Sequence, residues 1–419
     1  MNKSRLIFHI DVNSAYLSWT AVDLIRKGKN MDLRDIPSVI GGNEKERHGI
    51  VLAASIPAKK LGITTGETLY SARKKCKNLV VVPPNYELFK HSSNAMVNIL
   101  SEYTPHIQRF SCDECFLDFK GMDYFYKDPF EVASRIQNRI YEELGFTVNV
   151  GISSNKLLSK VASDFSKPNK IHTLYPDEIE SKMWPLPVGE LFGVGKKTLQ
   201  KLNLLNIKTI GDLANCDVNI LKQKLKSYGV QIWNYANGID NSEVVGPSPL
   251  KGMGSSTTTH FDITTTEQAH LVINSLCENI STRLRKHERT CDVICVHYKT
   301  DSFFTRRKQR KLNYNTQNTV DIKKEALRLF DELWEYEPIR QIGVQITGLA
   351  DENEVQLSFF DSKDNEKKAV LDKTIDSIRE KFGKSAIGTA QFINAPIGQF
   401  SGGTAGLCDD EYPMMNSIL

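Results

Sequence analysis

Phe110-Ser111-Cys112-Asp113-Glu114-Cys115-Phe116-Leu117-Asp118 is the stretch on which the interpretation of this chain depends. Two adjacent acids lie between apolar runs, and residues 106–112 and 115–119 are each typical of a short strand. Only two residues separate these runs, which predicts a tight hairpin with both acids at its tip. An isolated acidic pair is more often a solvated turn than a site, so the rest of the chain must decide.

The length and composition are those of a multidomain globular protein. The 419 residues are 40% apolar and 25% charged, which suits about two to four domains with their own cores. The net charge of +4 hides an asymmetry, because residues 351–419 hold seven Lys or Arg against twelve Asp or Glu. A basic body with an acidic tail predicts a polyanionic partner for the body.

Cysteine usage and hydropathy indicate the compartment. Of the eight cysteines, only Cys112 and Cys115 have the spacing of zinc ligands, and no second pair accompanies them. Free thiols in a reducing compartment are therefore favoured over a zinc site. No stretch approaches the roughly 20 apolar residues that a membrane span needs, and the N-terminal apolar run is too short for a signal peptide. We expect a cytoplasmic protein without a membrane partner.

Predicted strands and helices alternate up to about residue 175. Residues 5–12 predict a buried strand ending at Asp11, and Asn13 or Ser14 can cap the helix that follows. An acid between a strand end and a helix N-terminus is a common place for a metal-bound phosphate. This alternation predicts a mixed sheet covered by helices. The main predicted helices cover residues 86–103, 129–143 and 156–164.

Residues 186–197 begin a helical region of a different kind. Gly193 and Gly195 allow the backbone to approach a phosphate closely, and the following helix N-terminus adds amide donors beside the charges of Lys196 and Lys197. Such a Gly-x-Gly sequence can be a simple turn. The downstream stretch at 207–213 favours a helix-hairpin-helix that binds the DNA backbone.

A smaller α+β unit is predicted over residues 255–350, after a linker rich in Gly and Pro. Its second strand carries five cations within residues 306–311, which predicts contacts to nucleic-acid phosphates. The alternative is a solvated edge strand whose charges prevent aggregation. The predicted phosphate contacts are Arg306, Arg307, Lys308 and Arg310.

The chain resembles the Y-family DNA polymerases, the DinB/UmuC-like lesion-bypass group of bacterial type. The resemblance rests on four features in this order: Asp11, the acidic hairpin, Ser166-Lys167-Pro168-Asn169 and the helix-hairpin-helix. The resemblance implies an α+β multidomain fold: a palm with a mixed β-sheet and helices, small fingers, a helical thumb with the helix-hairpin-helix, and an α+β little finger. The expected domains are palm (1–25 and 81–175), fingers (26–80), thumb (176–244), linker (245–254), little finger (255–350) and a tail (351–419).

The resemblance implies a template-directed DNA polymerase that performs low-fidelity translesion synthesis. Nucleotide addition is a phosphoryl transfer in which two divalent ions stabilise the attacking and leaving oxygens, and magnesium requires hard oxygen ligands. The resemblance implies that Asp11, Asp113, Glu114 and the carbonyl of Val12 hold two Mg²⁺ ions, with Mn²⁺ as a substitute.

The same resemblance implies a set of nucleotide contacts. Tyr16 resembles the steric gate that excludes a 2′ hydroxyl, although an aromatic residue on an amphipathic helix can also be part of a core. Lys59 and Lys167, assisted by Ser14, are implied to hold the triphosphate. The chain departs from the family at Ile56 and Lys59, where Tyr and Arg are usual, so weaker or differently oriented nucleotide binding is expected.

Gln356-Leu357-Ser358-Phe359-Phe360 resembles the bacterial sliding-clamp-binding peptide. Gln356 is implied to orient the peptide, while Leu357, Phe359 and Phe360 fill apolar pockets. The alternative is a strand packed on the little finger. The expected partners of this protein, taken as a monomer, are primed template DNA, deoxynucleoside triphosphates and the sliding clamp.

After that peptide, residues 366–382 predict an amphipathic helix with Leu371, Ile375, Ile378 and Phe382 at helical spacing. The sequence does not decide whether the helix packs on the body or meets a partner. The rival function is a non-catalytic accessory factor that binds DNA and the clamp without synthesis. A nuclease or phosphatase is disfavoured, because it would not need Tyr16, the helix-hairpin-helix and the clamp peptide together.

Overall fold

The computed structural model describes residues 5–44, 47, 49–122, 126–246, 249–351, 363–383, 386–393 and 395. These residues form two compact units, one within Met1–Gly42 and Ile50–Ser248 and the other within Asn43–Gly49 and Pro249–Asp410. Within the described ranges, no helix has the length and apolar character needed to cross a membrane.

The first unit contains both strands and helices. Its strands are β1 (Ile7–Val12), β2 (Ser38–Gly41), β3 (Val51–Ala54), β4 (Val80–Val82), β5 (His106–Arg109), β6 (Glu114–Asp118), β7 (Val148–Ser153) and β8 (Ile171–Thr173). Its helices are α1 (Ala15–Arg26), α2 (Ile56–Lys60), α3 (Leu69–Lys75), α4 (Tyr86–Ser101), α5 (Pro129–Arg139), α6 (Lys156–Asp164), α7 (Lys196–Leu204), α8 (Ile210–Ala214), α9 (Val218–Leu225) and α10 (Ser227–Ala236).

A five-stranded mixed sheet with the order β5-β6-β1-β7-β8 forms the centre of the first unit. Its middle strand β1 has every residue buried, as expected for a strand covered on both faces. β1 pairs antiparallel with β6 and β7, while β7 and β8 run parallel. This arrangement places the end of β1 beside the start of β6, where the acids lie.

The region predicted as fingers folds around a three-stranded sheet of order β3-β2-β4. Two short helices pack on it, and both begin at a capping side chain: Ser55 accepts from the amide of Ala58, and Thr68 accepts from the amide of Ser71. Such caps satisfy amides that the first helical turn leaves unpaired. This region has a small core of its own.

The second unit is a four-stranded antiparallel sheet of order β11-β10-β12-β9 with helices packed on one face. Strand β9 begins at Gly252, inside the predicted linker, and sequence reasoning did not find it. The unit confirms an α+β fold for this part of the chain. Its elements are β9 (Gly252–Ile263), α11 (Thr266–Lys286), β10 (Arg289–Thr300), β11 (Thr305–Thr316), α12 (Thr319–Asp331), β12 (Ile339–Asp351) and α13 (Lys363–Phe382).

Helix α13 confirms the prediction of a helix over 366–382, but of the predicted apolar positions only Ile375 and Ile378 are half-buried, and the other two are exposed. Leu371 is 57% and Phe382 is 68% exposed, whereas Asp372 is 8% and Arg379 is 6% exposed. The buried face is polar because ion pairs join it to α11.

Candidate active site

The acidic hairpin is wider than the sequence predicted. Strand β5 ends at Arg109 and β6 begins at Glu114, with Arg109 opposite Cys115. The amides of Phe110 and Ser111 both donate to the carbonyl oxygen of Glu114, at 2.9 and 3.2 Å. The prediction that both acids lie at a two-residue tip is therefore wrong, because these bonds draw Glu114 into the strand.

Two of the three predicted carboxylates come from neighbouring strands, and the third, Asp113, lies in the turn that precedes β6. Asp11 lies directly opposite Glu114 in the β1–β6 register, so their side chains share one face of the sheet. The amide of Val12 donates to the carbonyl oxygen of Asp113 at 3.1 Å, which holds the turn against the end of β1. The sequence positions 11, 113 and 114 thus converge at one end of the central strands.

Burial raises the pKa of each of these carboxyl groups above its ordinary value. The charge of Glu114 raises the pKa of Asp11 further, Asp11 acts likewise on Asp113, and Asp113 acts on Glu114. Three buried acids that repel one another form a site where positive charge is favourable.

Two lysines supply positive charge in this structure. Lys160 Nζ donates to Glu114 Oε1 at 2.5 Å. Lys167 forms an ion pair with Asp11 and a second with Asp164 at 2.8 Å. Although burial opposes the shift, the charges of these two aspartates raise the pKa of Lys167 above its ordinary value. Both lysines are therefore counter-ions of the acidic site.

The donor set fits a divalent metal chemically. Ser111 Oγ donates to Asp113 Oδ1 at 2.5 Å, while the buried Glu114 Oε2 has no hydrogen-bond partner among the described residues. An unsatisfied carboxylate oxygen beside two further acids is the hard ligand set that Mg²⁺ prefers. In the part of the chain that the structure describes, no three acidic, His or Cys side chains are arranged to hold a metal as they stand. Lys167 contacts an oxygen of Asp11 that a metal would need, whereas Lys160 contacts Oε1 of Glu114 and leaves Oε2 accessible to a ligand.

His9 lies beneath the carboxylates, and sequence reasoning missed it. Its Nδ1 is 2.8 Å from Ser163 Oγ, and its Nε2 is 4.0 Å from Glu114 Oε1. Burial, followed by the charge of Lys160, lowers the pKa of His9 well below its ordinary value. The ring is therefore neutral and lies behind Glu114, packed at a tilt against Phe116 with the ring centroids 4.6 Å apart.

The predicted triphosphate contacts lie beside the acids. Ser14 precedes α1 in a left-handed conformation with φ 49°, and its side chain does not cap the helix. Instead its hydroxyl accepts from Lys59 Nζ at 3.0 Å. Burial, followed by the charge of Lys167, lowers the pKa of Lys59. These interactions bring Ser14, Lys59 and Lys167 together next to Asp11.

Tyr16 connects helix α1 to the acidic hairpin. Its ring stacks on Phe89 with centroids 4.5 Å apart, and its hydroxyl is 3.4 Å from Cys112 Sγ. Burial raises the pKa of the Cys112 thiol to about 12, so the thiol stays protonated. Among the described cysteines, Cys112 and Cys115 form no disulfide bond.

The predicted helix-hairpin-helix includes the start of helix α7, which is exposed to solvent. Gly193 has φ +91°, in the region that favours glycine. Helix α7 begins after Gly195, which as a glycine supplies no side-chain cap to its first amides. Lys196 and Lys197 lie exposed in its first turn. These are the groups from which phosphate-binding helix termini are made.

The four predicted phosphate contacts of strand β11 lie on two faces. Arg306 donates to Glu335 at 2.5 Å, and Lys308 lies 2.9 Å from Glu332. Arg310 is likewise paired with glutamates of α12 and its C-terminal end. Arg307 points the other way, is exposed, and lies in register with His297. The structure therefore separates Arg307 from the three cations held by acids.

The remaining sequence features are the predicted clamp-binding peptide and the departure from the family at Ile56. The predicted clamp-binding residues Gln356, Leu357, Phe359 and Phe360 lie outside the described residues. Ile56 begins helix α2 with 43% of its surface exposed, on the same short helix as Lys59.

Three family models match the chain along its length. They are the impB/mucB/samB family over residues 10–164, the IMS family HHH motif over 176–207, and the impB/mucB/samB family C-terminal domain over 250–359. The chain belongs to this family, the Y-family DNA polymerases, as the sequence predicted. The helix-hairpin-helix expected after residue 186 is part of the family pattern.

Several curated relatives span almost the whole chain. DNA polymerase IV of Clostridium acetobutylicum is 52% identical over 92% of this chain and 97% of its own length. DNA polymerase IV of Acetivibrio thermocellus is 36% identical over 90% and 95%, and DNA polymerase IV 1 of Bacillus subtilis is 35% identical over 92% of each chain. A solved Y-family DNA polymerase chimera, 22% identical, matches with a TM-score of 0.71 over 83% of this chain and 99% of that one. The latter match confirms the α+β multidomain fold.

Proposed function

We propose that this chain is a DNA-directed DNA polymerase that extends a primed template with deoxynucleoside triphosphates during low-fidelity synthesis past lesions. The observation that carries the proposal is the register that sets Asp11 opposite Glu114 with Asp113 in the adjoining turn. Lys59, Lys167 and Ser14 lie at the same end of the sheet, so acids for a metal and cations for a triphosphate are adjacent.

Two Mg²⁺ ions, or Mn²⁺ in their place, would be held by Asp11, Asp113, Glu114 and the carbonyl of Val12. When bound, such ions stabilise the attacking 3′ oxygen and the leaving pyrophosphate. The three carboxylates bind them in the deprotonated form, and their mutual repulsion favours this binding. Glu114 Oε2 is buried and has no hydrogen-bond partner within the described ranges, so it is the oxygen most ready for this role.

The lysines act on the triphosphate. Lys167 leaves Asp11 and places its ammonium against a phosphate oxygen, while Lys59 and the hydroxyl of Ser14 orient the remaining phosphates. Because Lys59 is a point charge where the family has a bidentate group, the nucleotide is held with less directional restraint. Tyr16, fixed by its stacking on Phe89, fills the space that a 2′ hydroxyl would need and so selects deoxynucleotides.

DNA contacts are proposed for both units. The amides at the start of α7, with Gly193, Gly195, Lys196 and Lys197, bind the backbone without reading sequence. Exposed Arg307 binds phosphate from the open face of the little-finger sheet. The other predicted cations of strand β11 are balanced by glutamates and serve mainly to hold that edge strand. In this proposal the palm, fingers, thumb, linker and little finger follow the predicted order, but the fingers include strand β4 and the little finger begins with strand β9 at Gly252.

The clamp is a proposed partner through the peptide at 356–360, which follows the last strand of the little finger. The anchors Leu357, Phe359 and Phe360, oriented by Gln356, are the apolar groups from which a short peptide obtains affinity. The enzyme acts as a monomer in the cytoplasm, associated with the nucleoid when on DNA.

Extension of a primed template tests the proposed function. We expect Mg²⁺-dependent addition of the complementary nucleotide, abolished by EDTA and by omission of that nucleotide. An accessory factor gives DNA binding without extension, and a nuclease shortens the primer. Either outcome would overturn the proposal.

A further inference from the structure

Lys160 is a buried cation in the middle of the first unit. It lies on α6, where all residues from Leu157 to Ser163 are buried, and its side chain is only 10% exposed. Burying an ammonium group is unfavourable unless the charge is compensated. Its position inside the fold therefore requires specific partners.

The partners of Lys160 come from two different hairpins. Its Nζ donates to Glu114 Oε1 at 2.5 Å, and it lies 5.1 Å from the Phe110 ring centroid and 5.7 Å from that of Phe192. Both distances are within the range of cation–π attraction. Phe110 and Phe192 also contact each other at 5.9 Å. Phe110 opens the acidic hairpin, and Phe192 immediately precedes Gly193 of the helix-hairpin-helix.

These contacts use one oxygen of the Glu114 carboxylate and leave the other. Oε1 accepts from Lys160, while the buried Oε2 has no hydrogen-bond partner in the part of the chain that the structure describes. Buried acceptors are seldom left unsatisfied, so Oε2 is available to a ligand. The neutral ring of His9 lies behind the carboxylate, 4.0 Å from Oε1, and Asp11 is opposite on the same sheet face.

We propose that Lys160 is a positioning residue for the polymerase reaction, which fixes Glu114 through Oε1 so that Oε2 is presented to a divalent cation. Phe110 and Phe192 form the cage that holds the ammonium in place. The cage thereby joins the position of the carboxylate to the start of the DNA-binding hairpin. This inference rests on the proposed function, because the orientation of Glu114 matters only if Glu114 binds metal.

Lys156 provides a matched control on the same helix, one turn earlier. Its Nζ lies 5.2 Å from the Phe116 ring and donates to the carbonyl oxygen of Glu243 at 3.2 Å. It is therefore a partly buried lysine with an aromatic contact that does not hold a carboxylate of the site. Lys156→Met removes a similar side chain without changing Glu114.

The test measures Mn²⁺ binding by EPR to the full chain on primed DNA whose primer ends in a dideoxynucleotide, so that no chemistry occurs. We expect Lys160→Met to weaken Mn²⁺ binding by roughly 10- to 100-fold, the usual cost of removing a group that orients a metal ligand. Lys160→Arg should restore most of the affinity, because it keeps the charge and the aromatic contacts. Lys156→Met should bind Mn²⁺ as the wild type does.

Two further variants make the result specific. In Glu114→Gln the addition of Lys160→Met should cause little further loss, because Lys160 acts through that carboxylate. Phe192→Leu weakens the cage without touching Glu114 and should reproduce part of the loss. This variant also provides a result if Lys160→Met does not fold.

Unchanged or tighter Mn²⁺ binding by folded Lys160→Met would overturn the inference, as would an equal loss in Lys156→Met. The proposed function fails separately, if Asp113→Asn retains wild-type extension. If Asp113→Asn abolishes extension while Lys160→Met binds Mn²⁺ normally, the polymerase assignment stands and only the role of Lys160 is refuted.

Discussion

Lys167 has two proposed tasks, as a counter-ion of Asp11 and as a ligand of the triphosphate, and replacement by methionine tests them separately. In the structure its ammonium pairs with Asp11 and with Asp164. Methionine keeps the approximate length of the side chain and removes the charge. We expect a larger effect on kcat/KM for the nucleotide than on the free energy of unfolding.

The expected loss in catalysis comes from one charge-assisted hydrogen bond to phosphate. Such a bond contributes roughly 1.5–3 kcal/mol, which corresponds to about 10- to 150-fold in kcat/KM for the incoming nucleotide. The expected effect on stability is smaller. The Lys167 side chain is 40% exposed, so solvent screening limits its ion pairs to about 1 kcal/mol.

Single-nucleotide extension kinetics at saturating primed DNA give kcat/KM, and urea unfolding without metal gives the free energy of unfolding. Lys170→Met is the control, because Lys170 is an exposed lysine of the same loop. Lys170→Met should change neither quantity appreciably. An unchanged kcat/KM in folded Lys167→Met would refute the assignment of Lys167 to the triphosphate.

Three other predictions follow from named contacts. Tyr16→Ala should increase ribonucleotide incorporation relative to deoxynucleotide incorporation, and unchanged sugar selectivity would contradict the steric role. Hydrogen bonds, first from Lys75, lower the pKa of Glu67 from 4.5 to about 2, so Glu67 adds stability that is complete above pH 4.5 and is lost as the pH falls toward 2. In urea unfolding, Glu67→Gln should have a lower free energy of unfolding than the wild type at neutral pH, and this difference should shrink as the pH falls from 4.5 toward 2. A difference that does not change with pH would contradict this role of Glu67. Arg307→Ala should weaken DNA binding and its salt dependence in anisotropy titrations more than Arg306→Ala does, since Arg306 is already paired with glutamate; equal losses would refute the division of the strand.

Local signals in the sequence predicted most of the first unit. Helix α6 runs from Lys156 to Asp164 as predicted, because Asn155 caps it through the amide of Leu158 and its apolar residues have helical spacing. The convergence of Asp11 with the hairpin was implied only by the resemblance. Their register belongs to strands about a hundred residues apart, and no local pattern encodes it.

Two features of the second unit have physical causes that composition does not reveal. The charge run of β11 alternates between two faces, so only the fold shows that, among the described residues, Arg306 meets glutamates and Arg307 does not. Strand β9 was missed because its glycines and small polar residues are typical of a linker. It forms because β12 offers it a pairing edge.

The sequence also did not predict which charged residues are buried by tertiary contacts. No residue near Lys160 in the sequence explains its burial. Its neighbours in the helix, from Leu157 to Ser163, are all buried. In α13 the spacing of Leu371 and Phe382 indicated an apolar contact, yet the helix packs through Asp376, which pairs with Arg285 at 2.6 Å. Ion-pair partners far apart in sequence cannot be matched without the fold.

The central claim is that Asp11, Asp113 and Glu114 together hold the metal ions of a polymerase. The most direct measurement is single-turnover primer extension by Asp113→Asn across a Mg²⁺ titration, with thermal unfolding and DNA binding as controls for folding. We predict that extension falls to background at every Mg²⁺ concentration while DNA binding and folding are retained. Extension at the wild-type rate by the folded variant would contradict the claim.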